Sequence, residues 1–134
     1  MLESMKGGFQ QFIQGGRART GPQRLLLAFL YVQQSENAEH SRAMSLQPLM
    51  MTHQRLLETL SFNALVAEAD HLDERWEFLL LGCMDEAPEA TIQTRLREIA
   101  HKLATGNDLS DFLILDRQEH SVVFEAPSEA AEPA

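Results

Sequence analysis

The sequence predicts an α/β fold in a single domain, a mixed sheet of about five strands with two main helices. Three observations lead there. Apolar residues concentrate in short runs at 24–32, 76–84 and 111–116, without the alternation of a half-exposed strand. Near-continuous apolar runs of that length suit strands covered on both faces. Two stretches of helical periodicity fall between them, and 134 residues with 44% hydrophobic content suffice for one core. An α+β arrangement is the alternative reading of the same elements.

The elements follow in order. Residues 1–20 form a flexible or short-helical leader, in which Phe9, Phe12 and Ile13 share one helical face and two Gly pairs bracket them. The domain proper spans 21–125. Its first strand runs from Arg24 to Val32 after Pro22. Residues 33–45 are a long polar loop. Ser45 to Thr52 forms a shorter strand, and Pro48 places it at a sheet edge or a bulge, because proline cannot donate to a ladder.

Ser61 is a plausible N-cap, with Phe62, Leu65, Val66, Ala69 and Leu72 following at helical spacing. Leu56, Leu57 and Leu60 suit a preceding helical turn. Trp76 to Met84 reads as a buried central strand. Ile92, Leu96, Ile99 and Leu103 form the stripe of a second amphipathic helix, which Gly106 and Asn107 end. Asp111 to Asp116 is another buried strand, and Ser121 to Phe124 returns from it in a hairpin. The order is β-β-α-β-α-β-β. Trp76 through Asp116 reads as one right-handed crossover between parallel strands, which makes the sheet mixed. Residues 126–134 form a disordered acidic tail.

Composition limits the function. The net charge is −9, and the one basic knot is Arg17, Arg19 and Arg24. That balance argues against nucleic acid, which would take these arginines as its contact and bind with strong salt dependence. No run approaches the roughly 20 apolar residues of a membrane span, and the N-terminus lacks a signal-peptide pattern. One cysteine, Cys83, excludes an intrachain disulfide, so a reducing, cytoplasmic setting is expected.

Few residues carry chemistry. His40, His53, His71, His101 and His120 are scattered, without metal-ligand spacing. Cys83 lies between apolar residues and Asp85 and Glu86, surroundings that raise a thiol pKa and suit a structural cysteine. No phosphate loop or nucleophile elbow is present. Asp85, Glu86 and Asp116 stand at strand ends, where open α/β sheets gather ligands, and form the one candidate ligand edge. Leu46, Leu49, Met50 and Met51 form a candidate interaction edge, since an edge strand is open to strand addition.

Several blocks together resemble a known family. They are Pro22-Gln23-Arg24-Leu25-Leu26 with Phe29, Leu46 with Pro48-Leu49-Met50, Phe62 with Ala64-Leu65-Val66, Trp76 with its strand, and Gly106 through Phe112 to Asp116-Arg117. Their order is similar to that of small bacterial proteins often labelled automatically as a ribonucleotide reductase alpha subunit. The resemblance covers about residues 20–124, rests on structural positions and carries no catalytic residue over. Gln47, and Gln118-Glu119 in the closing hairpin, depart from the family pattern. Thiyl-radical reduction of a nucleotide takes a radical cysteine and a redox pair, whereas this chain has Cys83 alone.

The expected function is therefore a non-catalytic interaction or regulatory module, with no cofactor, no metal site and no membrane partner. Its partner would be an unidentified protein or a second copy. The alternative is a small-molecule or metal-ion binding domain, or a minor enzyme, working near Asp85 and Asp116.

Overall fold

The structure, a computed structural model, describes residues 8–34, 44–106 and 109–123. The described residues fold into one domain that mixes three helices with a five-stranded sheet. Helix α1 (Gly8–Arg17) leads into strands β1 (Gln23–Gln34) and β2 (Met44–Arg55), followed by α2 (Phe62–Leu72), β3 (Phe78–Asp85), α3 (Glu89–Thr105), β4 (Leu113–Asp116) and β5 (Ser121–Val122). The strands lie side by side in the order β2-β1-β3-β4-β5.

Every neighbouring pair is antiparallel. This corrects the expected right-handed crossover and the mixed sheet: β3 and β4 run in opposite directions, with Phe78 opposite Asp116 and Leu81 opposite Leu113. The misreading has a physical cause. An uninterrupted apolar run reports that a strand is covered on both faces, and such coverage is commonest in parallel sheets. Here helices cover both faces of an antiparallel sheet.

Alternate residues of β1 divide between two cores. Leu25, Leu27 and Phe29 face α1 and α2, where they meet Phe9, Ile13, Phe62, Leu65, Trp76 and Leu115. Leu26, Ala28 and Leu30 face α3, where they meet Leu80, Ile92, Leu96, Ile99 and Leu103. Each fully buried leucine contributes on the order of 2 kcal/mol by its removal from water. After α3 the chain rejoins this second face through Leu109 and Phe112, and the Phe112 ring lies across Gly82.

Within the expected leader, Gly8–Arg17 forms a docked helix: Phe9 and Ile13 of α1 are fully buried, so α1 belongs to the same core. Ser61 caps α2, its hydroxyl oxygen accepting from the Ala64 N–H at 3.0 Å. Leu56 to Leu60 forms a turn rather than helix, closed by the Leu60 N–H on the Leu57 carbonyl. Gly106 ends α3 with φ of 71°, the left-handed conformation that the glycine there accommodates. Most of the polar loop expected at 33–45, the terminal tail and the end of the last hairpin at Phe124 lie outside the described residues.

Candidate functional site

The three carboxylates of the expected ligand edge do not come together. Strand direction separates them: Asp85 pairs with Gln23 at one end of the sheet, while Asp116 pairs with Phe78 at the other. The span between those two ends along β3 is roughly 23 Å at the usual rise per residue. Each carboxylate is also engaged locally. The Asp85 Oδ1 accepts from the side-chain amide of Gln23 at 2.7 Å. Glu86 takes a two-pronged contact from Arg24, 2.6 Å to Nε and 2.9 Å to an Nη. Asp116 turns back on its own hairpin, accepting from the backbone N–H groups of Gln118 at 2.9 Å and His120 at 2.8 Å.

Gln23 explains why Asp85 is where it is. It is the one buried polar side chain among the described residues. Its carbonyl oxygen accepts from the Cys83 thiol at 3.3 Å, and its amide serves Asp85. Burial pushes the Cys83 thiol above its ordinary pKa, and Arg19 only partly offsets this. The thiol is half-buried under Gly16 and Leu56, which fits a packing role.

A polar chain follows on the α3 face. Arg24 lies 3.2 Å from His53 Nδ1, and His53 Nε2 lies 3.3 Å from Glu89 at the start of α3. The hydrogen bond from Gln93, then that from His53, holds the Glu89 carboxyl below its usual range, and the Arg24 guanidinium does the same for Glu86. Every charge in this chain faces an opposite or hydrogen-bonding group, so it ties β1, β2 and α3 together. Among the described residues, no three His, Cys, Asp or Glu side chains are grouped to hold a metal ion.

A feature with room for an occupant lies on the other face, along β2. This strand is twelve residues long and stands at the sheet edge. Its ladder to β1 shifts between Phe29 and Leu30, so that Leu49 is left without a partner beside Pro48. Among the described residues no strand lies beyond β2, which leaves it as an edge strand. Leu46, Leu49, Met50 and Met51 are all partly exposed on this strand.

Between β2 and α2 opens a groove of about 310 Å³. Leu27 and Phe29 form its floor; Met50, Thr52 and Gln54 form the strand side; Leu65, Glu68, Ala69 and Leu72 form the helix side. Met50, Thr52 and Gln54 stand opposite Phe29, Leu27 and Leu25, so they share the α2 face of the sheet. Leu72 is 72% exposed at the rim, unusual for an apolar residue that continues a buried helical stripe. Glu68 is exposed at the same rim.

Sequence reasoning found the strand and missed the groove. One signal was present. Glu68 stands three residues after Leu65 and four before Leu72, an acid set within an apolar helical stripe. The floor residues carried no signal, because Leu27 and Phe29 read as ordinary core. In comparisons with known proteins, no family model, no curated protein and no solved structure matches the chain. Among the described residues no helix is long and apolar enough to cross a membrane.

Proposed function

We propose that this protein is a non-catalytic interaction module of the cytoplasm that binds another polypeptide along β2. The observation that carries the reading is the coincidence of two features. A twelve-residue strand with no described strand beyond it lies directly beside a largely apolar groove lined by Met50 on that same strand. Main-chain hydrogen bonds to an edge supply affinity, and a neighbouring pocket supplies specificity for alternate side chains. The engagement of Asp85, Glu86 and Asp116 in local contacts supports a structural part for these carboxylates.

The test compares two baits. Thr52 is exposed on β2 and faces the groove, so Thr52→Lys puts a charge in the binding path without touching the core. Proteins retained from a native extract by the wild-type chain and lost with Thr52→Lys are the expected result. Hydrogen exchange of the recovered complex should show slowed amides within 46–54. Equal retention by both baits, or protection confined to other elements, would sink the reading. Sedimentation of the purified chain covers self-association: a dimer that persists in Thr52→Lys assigns that contact to another surface.

A further inference from the structure

We infer that the occupant of the β2 groove is an extended segment of a different protein, carrying a large apolar residue with a lysine or arginine two positions away. The inference rests on the edge-binding reading above and adds the chemistry of the partner. Consecutive residues Met50 to Gln54 line the groove, so an occupant meets the main chain of β2 as well as its side chains. An extended segment brings unpaired N–H and C=O groups that can complete this edge, whereas a helix has already satisfied its own. In a strand, residues i and i+2 point to the same face roughly 7 Å apart. An apolar side chain at i can therefore reach the Leu27 and Phe29 floor while its neighbour at i+2 or i−2 reaches the rim.

Charge decides the second residue. Glu68 forms no ion pair with any described residue and is the one carboxylate lining a groove whose other polar lining residues are Thr52, His53 and Gln54. Nearby carboxylates outside the lining are paired, Asp70 with Arg117, Asp73 with Arg75 and Glu58 with Arg17, while the exposed Glu74 does not line the groove. A cation on the incoming segment gives Glu68 its partner, and the net charge of −9 favours approach of a basic partner. A second copy of this chain fits less well. Pairing through its own β2, it would offer Met50, Thr52 and Gln54 to this face, while Arg55 belongs to the opposite face with Arg24. It would also carry the same excess of negative charge.

The experiment selects a phage-displayed library of random twelve-residue peptides on the immobilised full chain, then repeats the selection on Glu68→Lys. Hydrogen exchange of each complex locates the bound peptide. Enriched peptides should place Lys or Arg two residues from a large apolar residue and slow exchange within 50–54. Their affinity should fall on the order of tenfold on Glu68→Lys, with a smaller fall on the isosteric Glu68→Gln. The Glu68→Gln arm guards against a folding defect, and circular dichroism of both variants checks it. Peptides that protect 50–54 but lack the basic residue, or show helical spacing, overturn the partner chemistry and leave the edge reading standing. Enrichment of segments like residues 44–55 assigns the groove to a second copy and overturns the inference. No enrichment, or protection elsewhere, overturns both.

Discussion

Arg117 ties three parts of the chain together through one guanidinium. It donates to both oxygens of Asp70 on α2, at 2.9 and 2.8 Å, and to the backbone carbonyl of Trp76 at 2.9 Å. It also lies 4.1 Å above the Trp76 ring, whose indole N–H donates to Asp70 at 2.9 Å. A planar fork is needed to serve these partners at once, and an ammonium is not a substitute. Arg117→Lys should therefore lower the thermal midpoint more than Arg95→Lys, whose partner Glu98 is exposed on one helix. Calorimetry of the two variants checks this, and equal midpoints would contradict it.

The same lock sets a pH dependence. Hydrogen bonds from Arg117, and secondarily Trp76, hold the Asp70 carboxyl below its usual range in the folded chain. A depressed folded pKa means the folded state favours the ionised form. Its contribution is complete above the unfolded value of about 4 and is lost as pH falls below that. Glu86 and Glu89 act in the same direction. Urea midpoints measured from about pH 5 down to about pH 2 should fall steadily, and the fall should be shallower in Arg117→Ala. Asp73 is held down to about 2 by Arg75, but that pair spans two residues and persists in part when the chain unfolds.

Gly82 is a second position where one atom decides the outcome. A Cβ built there would lie 3.1 Å from the Phe112 ring, within the sheet face that α3 covers. Gly82→Val should cost about 1–3 kcal/mol by overpacking, read from denaturant unfolding. A neutral result would mean that Phe112 moves aside freely.

At the scale of elements, the helices were the most legible part. The stripe Ile92, Leu96, Ile99 and Leu103 is buried as its spacing requires, and Ser61 and Gly106 terminate their helices as their chemistry requires. Removing the cap by Ser61→Ala should cost about 1 kcal/mol, measured as a shift in unfolding midpoint. The edge position of β2 was also legible, from Pro48 alone. Strand direction was not. The run Leu79-Leu80-Leu81 has the same apolar character whichever way its neighbours point. The supposed carboxylate edge depended on that direction and separated with it.

At the scale of the molecule, α1 changes what counts as the domain. Phe9 packs against Phe62 with ring centroids 6.2 Å apart, and Ile13 joins the same core. A ten-residue helix of modest propensity gains its order from this docking rather than from itself. Phe9→Ala should therefore cost about 3–5 kcal/mol, as for a core aromatic, and unfold α1 together with the sheet in one transition. Loss of α1 alone, with the sheet intact, would show that it is a separable leader.

Sequence alone was enough for the two long helices and the apolar strands, for the caps Ser61 and Gly106, for the two-faced burial of β1 and β3 and for the edge-or-bulge character of β2. These follow from periodicity and from the backbone limits of proline and glycine, which are local. Tertiary structure alone decided the direction of β4, the pairing of Arg117 with Asp70 and Trp76, and the groove. Each of these depends on which distant residues meet. Apolar burial, being non-directional, specifies that surfaces are covered and leaves open which element covers them.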